Sequence, residues 1–233
     1  MNDALTSSRR ALHRVAAHVL GRRRYQVAAR FGLRAAPGGF ATPAFGDGPE
    51  VLRLSGTTLI RERGGEASFS TVAGASLRSL AAFCDADLEA DFSSGADTPP
   101  IGDPDATIEI VGDAVSTLAD WLALGWRVLD QTVIALGPSS TPATIQLWPE
   151  HFDAGTNVAV RGGARVNLGF SLGDEGIEEP YAYLGPWGSD RPGDPSYWNA
   201  PFGAVLRLSE LGDDRASECL SFFGRGLRAV AGG

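Results

Sequence analysis

One short stretch of the chain, residues 144–153 with the sequence TIQLWPEHFD, holds the residues best suited to acid–base chemistry. If it is a strand, its side chains alternate between two faces, so His151 and Asp153 share one face and Glu150 lies on the other. A carboxylate two residues from an imidazole can orient the ring or raise its pKa, as general acid–base catalysis requires. We therefore predict that His151 is a catalytic base or a ligand and that Asp153 orients it.

An acidic run, residues 174–179, joins the next two predicted strands. We expect this run at one end of the same sheet, and Glu179 is the third predicted catalytic residue. In an alternative, His151 and Asp153 ligate a metal such as Zn or Fe, which imidazole and carboxylate both suit. The remaining ligands would come from the acidic run: Asp174, Glu178 or Glu179. A third interpretation is structural: Pro149 marks a strand edge or bulge, and His151 hydrogen-bonds a turn.

Aromatic residues lie next to these polar ones. Residues 185–203 read as a loop rich in Gly and Pro, and loops of this length often act as lids or binding loops. Its aromatic side chains either wall a small-molecule pocket or pin the loop to the body of the protein, and both can hold. The predicted ligand-binding residues are Trp148, Tyr181, Tyr183 and Trp187.

Two motif matches are rejected because their structural context is missing. Residues 169–173 spell GFSLG, the G-x-S-x-G pattern of serine hydrolases, but no helix signal follows and the last histidine, His151, precedes it. Residues 224–229 imitate a dinucleotide-binding fingerprint, but they lie inside a predicted helix with no strand before it.

The composition excludes several mechanisms. All 20 basic residues are arginines, and lysine is the residue that forms Schiff bases, anchors pyridoxal phosphate and completes a Walker A loop. No cofactor is indicated. The two cysteines, Cys84 and Cys219, lie outside any Cys-x-x-Cys pair, which is typical of reduced, buried thiols in a cytoplasmic protein.

Charge is unevenly distributed along the chain. Residues 1–36 hold eight arginines and one acid, whereas the whole chain has a net charge of −8. This acidic excess repels polyanions, so we expect no nucleic-acid partner. No apolar run is long enough to span a membrane, so we expect no membrane partner either. The three consecutive arginines at residues 22–24 are interpreted as a solvated helix end whose charges offset the helix dipole.

Apolar side chains recur at helical spacing in four segments: residues 12–20, 76–84, 115–133 and 213–230. The first helix is expected to end at Gly21 and the arginines that follow it. The third is the longest and contains Gly125 in its middle, which is unfavourable for a helix.

Alternating or short apolar patterns predict strands in two blocks. The first block comprises residues 25–33, 51–54, 57–62 and 67–72, with a turn at Gly64-Gly65, and the second comprises residues 144–152, 157–160, 165–172 and 181–184. Because the strands are not alternated with helices, we predict an α+β fold with a mainly antiparallel sheet or curved sandwich. The N-terminal, central and C-terminal helices are expected to pack against it, in a single domain covering residues 1–233.

Three runs carry a resemblance to a known group of proteins: WPEHFD at 148–153, GFSLGD at 169–174 and EPYAY at 179–183. In these runs the chain resembles an uncharacterised bacterial domain-of-unknown-function family, which has W-x-x-x-F-D, G-F-x-x-G and E-P-x-x-Y strand motifs in the same order. The resemblance implies one domain, and its three motifs lie in the region that contains the predicted site residues. The family brings no established activity, substrate or cofactor.

These observations predict a small-molecule-binding domain whose polar centre is formed by His151, Asp153 and Glu179. Its catalytic form would be an acid–base or metal-assisted hydrolase or isomerase. The alternative is a non-catalytic protein-interaction module that uses the arginine-rich N-terminus and the aromatic loop as its partner surface. The oligomeric state is not indicated by the sequence.

Overall fold

The computed structural model describes residues 3–232, which divide into two compact units. The first unit comprises residues 3–123 together with Leu147–Phe152, and the second comprises Leu124–Gln146 together with residues 153–232. Helices and antiparallel sheets are present in separate blocks, so the predicted α+β fold is confirmed. The expectation of a single domain stays a prediction.

The helices are α1 (Asp3–Val15), α2 (Arg22–Ala28), α3 (Leu77–Phe83), α4 (Gly112–Leu136) and α5 (Arg215–Gly232), and a π-helical segment, Ala16–Gly21, joins α1 to α2. The predicted helices at 76–84, 115–133 and 213–230 are therefore confirmed. Ser76 caps the start of α3 by accepting a hydrogen bond from the backbone N–H of Ser79 at 3.2 Å, as expected for a residue before the first helical turn.

Within residues 3–232, ten strands form two separate five-stranded antiparallel sheets. The first sheet has the order β1-β2-β3-β4-β5, from β1 (Arg34–Ala36), β2 (Gly39–Ala41), β3 (Glu50–Ser55), β4 (Thr58–Arg63) and β5 (Glu66–Thr71). The second has the order β10-β9-β8-β7-β6, from β6 (Gln146–Trp148), β7 (Asp153–Ala159), β8 (Arg165–Ser171), β9 (Tyr181–Pro186) and β10 (Ala204–Arg207). Gly64 and Gly65 both have positive φ at the predicted turn.

The prediction for residues 21–33 is wrong. Gly21 does not end the first helix, which continues through the π-helical segment into α2 and stops at Ala29, a residue with a left-handed φ of 52°. The predicted strand at residues 25–33 is therefore half helix, and only Leu33 makes a β-bridge, with Leu147. Tyr25 and Val27 gave the sequence its alternating apolar pattern, but both side chains lie partly exposed on α2 and not on a buried strand face.

A row of hydrogen-bond donors explains why this N-terminal helix is so long. Four donor side chains follow one another at intervals of four residues, which places them along one side of the helix. They are Arg14, His18, Arg22 and Gln26, and they donate to the backbone of the segment 84–111, which has no helix or strand. The accepting carbonyls belong to Asp87, Leu88, Ala90, Pro99, Ile101 and Asp103.

Arg22 is the most heavily used of these donors. Its Nη1 atom donates to the carbonyls of Asp87, Leu88 and Ala90 at 3.1, 3.2 and 2.7 Å, and its guanidinium lies 5.0 Å from the centre of the Phe92 ring. The residue is only 4% exposed. Burial lowers its pKa, although the nearby carboxylates oppose that shift. A planar guanidinium suits this role because it presents several donors in a fixed geometry.

The neighbouring arginines are also directed inward. Arg23 and Arg61 contact the buried carboxylate of Glu50 at 3.0 and 3.1 Å, and Arg24 donates to the carbonyl of Gly32. A buried carboxylate between two guanidiniums is compensated on both sides, which offsets its desolvation. The interpretation of residues 22–24 as a solvated helix end is therefore wrong.

The second sheet has one apolar face that carries the core of its unit. Phe170 on β8 packs edge-to-face against Phe223 of α5, with ring centres 5.6 Å apart. A Cβ atom on Gly125 of α4 would come within 2.5 Å of Phe170. The glycine in the middle of the longest helix is thus explained by close packing, which outweighs its unfavourable helix propensity.

The strand β10, which sequence periodicity did not reveal, is closed on its outer side by one amide side chain. Asn199 donates through Nδ2 to the carbonyl of Val205 at 3.1 Å, and its Oδ1 accepts from the N–H of the same residue at 2.8 Å. Asn199 belongs to the long loop after β9, which is also fastened by Tyr197, whose hydroxyl donates to the carbonyl of Phe222 at 3.0 Å. The pinning role expected for part of this loop is therefore present.

Replacing Arg22 by lysine should destabilise the protein strongly. Lysine keeps the charge but cannot present the same planar set of donors, so we expect a loss of about 2–3 kcal/mol in the free energy of unfolding. Urea denaturation measures this loss. The matched control is Arg10→Lys on the exposed side of α1, which should change stability by less than about 0.5 kcal/mol. Equal effects of the two substitutions would contradict the role given to Arg22.

Candidate functional site

The segment predicted to carry His151 on a strand is a turn. β6 ends at Trp148, Phe152 donates its N–H to the carbonyl of Trp148 at 2.8 Å, and Phe152 itself has a left-handed φ of 56°. β7 starts only at Asp153. The prediction of one strand over residues 144–152 is wrong beyond Trp148, because Pro149 follows and cannot donate to a ladder. His151 and Asp153 therefore do not share a strand face.

The imidazole of His151 lies between two carboxylates. Its Nδ1 atom is 3.3 Å from Oδ2 of Asp97, and its Nε2 atom is 3.2 Å from Oε1 of Glu150. A carboxylate oxygen therefore lies beside each of the two ring nitrogens. The side chain of His151 is 47% exposed, so a small molecule can reach the ring.

Glu150 is the less accessible of the two carboxylates. Its side chain is only 16% exposed, and it lies against Gly95 so closely that a Cβ atom there would collide with the carboxylate. Burial raises the pKa of Glu150; the neighbouring charge of His151 opposes this shift and that of Asp97 adds to it. Glu150 is thus the carboxyl group of this cluster that takes up a proton more readily than an ordinary glutamate.

Sequence reasoning missed Asp97, because it lies in a polar loop far from His151 along the chain. Hydroxyl groups shape this loop: Thr98 donates through Oγ1 to the carbonyl of Gly95 at 2.7 Å, and the N–H of Ser94 donates to Oγ1 of Thr98 at 2.9 Å. The only sequence signal is the run of Ser, Gly and Thr around Asp97, which is typical of side chains that hydrogen-bond nearby backbone.

His13 holds the turn that carries His151. Its ring is stacked on Phe152, with centroids 5.1 Å apart, and its Nε2 atom donates to the carbonyls of Pro149 and Glu150 at 2.9 and 3.1 Å. Burial lowers the pKa of His13 to about 4. His18 is 3% exposed, and burial lowers its pKa as well. Both histidines are therefore neutral structural donors.

In the second unit, the structure brings together three of the predicted residues. Tyr183 donates its hydroxyl to Oδ2 of Asp153, and the ring of Tyr181 lies 6.2 Å from that of Tyr183. Tyr181 in turn donates to Oδ2 of Asp174 at 2.5 Å. Burial, together with the adjacent carboxylates, raises the pKa of both tyrosines. Each phenol therefore stays protonated and serves as a donor to a carboxylate.

Two glycines make room for the ring of Tyr183 on this sheet. Gly155, Gly169 and Tyr183 form one cross-strand row on β7, β8 and β9. A Cβ atom on Gly169 would collide with the Tyr183 ring, and one on Gly155 would lie 3.1 Å from its hydroxyl. Gly169 of the GFSLG run and Gly155 of β7 therefore make room for the packing of Tyr183.

The other predicted residues have separate surroundings. Glu179 accepts from the N–H of Ser209 at 3.0 Å and lies 4.0 Å from Arg207 in the second unit. Trp187 is largely exposed there. Trp148, in the first unit, is half-buried and its ring lies 6.3 Å from that of Phe31.

Comparison with protein-family models, with curated proteins and with solved structures finds no match for this chain. The resemblance to an uncharacterised bacterial family stays a prediction. Between residues 3 and 232, no three His, Cys, Asp or Glu side chains are placed to hold a metal ion together. No helix in that same range combines the length and the apolar character that crossing a membrane requires.

The buried neutral histidines predict a loss of stability in mild acid. The pKa of His13 is about 4 in the folded chain and near its ordinary 6.5 when unfolded, so between these values only the unfolded chain gains a proton. At about 1.4 kcal/mol per pH unit, stability should fall by on the order of 2–3 kcal/mol across this window.

Urea unfolding at a series of pH values measures this slope. His13→Gln, which cannot titrate, should flatten the slope. If His13→Gln leaves the slope unchanged, the ring does not avoid protonation in the folded chain.

Tyr183→Phe removes the hydroxyl that donates to the buried carboxylate of Asp153. We expect a loss of about 1–3 kcal/mol in the free energy of unfolding, because the carboxylate loses a donor without gaining water. Thermal denaturation compares it with Tyr25→Phe, a matched change at a residue that is 41% exposed. A Tyr183→Phe protein as stable as the control would show that this hydrogen bond contributes nothing.

Proposed function

We propose that this chain is a small-molecule-binding domain and that His151 exchanges a proton with the bound molecule, as acid–base hydrolases and isomerases require. The observation that supports the proposal is the half-exposed imidazole held at both ring nitrogens by carboxylates, Asp97 and Glu150. In this proposal Asp97 takes the orienting role that the sequence suggested for Asp153. The metal-assisted form stays a prediction.

The three groups differ in a way that favours proton transfer. Asp97 is mostly exposed, whereas Glu150 is mostly buried and its pKa is raised by that burial. A proton can move between Nε2 of His151 and Glu150, and Asp97, beside Nδ1, stabilises the ring in the state that carries both protons.

The surroundings of His151 also fix its position. The turn is held by the two hydrogen bonds from His13 and by the contact of Glu150 with Gly95. Trp148, one of the predicted ligand-binding residues, is the last residue of the strand that enters this turn. A catalytic side chain is most effective when its support is rigid in this manner.

The alternative, a protein-interaction module, retains only part of its predicted surface. Arg22, Arg23 and Arg24 donate to groups inside the first unit. The aromatic loop does expose Trp187 and Phe202. Arg10, Arg30 and Arg34 are also exposed, so the alternative retains these arginines and the aromatic loop but not residues 22–24.

The expected cytoplasmic location belongs to the same proposal. Both cysteines are free and buried, and burial raises the pKa of each thiol to about 12. Thiols of this kind are unreactive and suit a reducing compartment. Neither thiol suits the role of a nucleophile in the proposed chemistry.

The proposal predicts a characteristic reactivity of His151 toward diethyl pyrocarbonate, which modifies unprotonated imidazole. Measured by mass spectrometry between about pH 5 and pH 8, His151 should react while the buried His13 and His18 stay protected as internal controls. Asp97→Asn and Glu150→Gln should each shift the pH dependence of this reaction toward lower pH, because each removes a charge that stabilises the imidazolium.

Native mass spectrometry of the untagged protein tests the binding half of the proposal. We expect a retained small molecule that is lost on denaturation and missing from His151→Gln, with the stability of that variant within about 0.5 kcal/mol of the parent. The proposal fails if the pH dependence of His151 reactivity is the same in all three proteins. It also fails if His151→Gln unfolds the chain, since the residue would then be structural.

A further inference from the structure

Trp187 is an exposed aromatic residue whose ring is held in one orientation. The residue is 62% exposed, yet its Nε1–H donates to Oδ1 of Asn167 at 2.7 Å. The guanidinium of Arg165 lies 5.4 Å from the centre of the ring and covers one of its faces. Because the residue is largely exposed although one ring face is covered, we infer that the opposite face of the indole is open to solvent. A surface tryptophan fixed in this way costs little entropy when a ligand stacks on it.

The residues that hold Trp187 are themselves fixed. Arg165 donates through Nε to Oδ1 of Asn157 at 2.9 Å and through Nη1 to Oγ1 of Thr141 at 3.3 Å. Asn157 and Asn167 are cross-strand partners on β7 and β8. The amide oxygen of Asn157 accepts from Arg165, and that of Asn167 accepts from Trp187. The NH₂ group of each amide therefore remains as a donor for a ligand.

The sheet face beside Trp187 is polar: it carries the two amides, and the carbonyl oxygen of Phe202 would lie 3.4 Å from a Cβ atom on Gly185. Gly185 is the β9 partner of Asn167, so the row that continues Asn157 and Asn167 ends in a residue without a side chain. Trp187 follows directly after β9 and donates its N–H to the carbonyl of Arg165 at 3.0 Å, which continues the pairing. Since strand residues two apart share a face, we place Trp187 on the side of the sheet that carries Gly185 and Tyr183. A flat molecule can therefore lie beside the indole and reach the two amides.

We propose that this face of the second sheet binds a neutral sugar ring, stacked on Trp187 and hydrogen-bonded by Asn157, Asn167 and Arg165. The axial C–H groups of a pyranose are weakly positive and pack on the negative face of an aromatic ring. Its hydroxyl oxygens can accept from the amide NH₂ groups and the guanidinium, and a hydroxyl hydrogen can be donated to the second lone pair of Asn167 Oδ1. The site is separate from His151 and does not depend on the function proposed for that residue.

Charge favours a neutral ligand at this site. Arg165 is the cation in contact with the Trp187 ring, and it is already hydrogen-bonded to Asn157. The chain as a whole carries a net charge of −8, which disfavours nucleotides and other polyanions. A nucleoside could stack on the indole too, and it is one of the outcomes that the test distinguishes.

The test is titration of the full chain with cellohexaose, maltohexaose, chitohexaose and xylohexaose, followed by calorimetry and tryptophan fluorescence. We expect at least one of them to bind with a Kd between about 1 μM and 5 mM. Trp187→Ala should weaken that binding at least about tenfold, and Asn167→Ala about threefold or more. Circular dichroism confirms the fold of each variant.

Two matched controls make the result specific. Phe69→Ala removes an aromatic residue that is 65% exposed in the first unit, and it should leave sugar binding unchanged. His151→Gln should also leave it unchanged, which separates this site from the acid–base proposal. The inference is overturned if none of the four sugars binds, if binding survives Trp187→Ala, or if adenosine or uridine binds through Trp187 while the sugars do not.

Discussion

Peptide carbonyls need hydrogen-bond donors, and residues 84–111 have no helix or strand to supply them. The N-terminal helix meets this requirement with side chains: Arg14, His18, Arg22 and Gln26 donate to the irregular segment at successive turns. The first unit depends on this arrangement, because the segment carries Asp97 next to His151. A chain whose basic residues are all arginine is well suited to it, since each guanidinium can serve several carbonyls.

In the second unit, the two faces of the sheet have different surroundings. One face is apolar and packs on helices, as Phe170 does on Phe223, whereas the other carries tyrosines, carboxylates, amides and the exposed Trp187. Glycines decide what this polar face can hold. Gly155 and Gly169 let the Tyr183 ring lie flat and reach Asp153, and Gly185 places no side chain beside Asn167. Buried phenol–carboxylate pairs and an exposed indole thus occur on one face with different roles.

Local patterns predicted what local physics determines. The hairpin from β4 to β5 and the helices α4 and α5 follow from periodicity and from turn residues such as Gly64 and Gly65. The strand predicted at residues 25–33 failed because its alternation is coincidental, and the contacts that keep this stretch helical come from a distant segment. The candidate site also combines local and non-local information. His151 could be singled out from its residue type, whereas Asp97 is distant in the sequence and lies next to it only in the folded chain.

The amide of Asn199 has a consequence for self-association. A strand at the border of a sheet exposes N–H and C=O groups that invite a strand from another molecule, and this is a common route to aggregation. At Val205 both groups are already taken by the one side chain, which imitates the hydrogen-bonding edge of a neighbouring peptide. The sheet therefore stops at β10 without a proline or a bulge, and an added strand would first have to displace that amide.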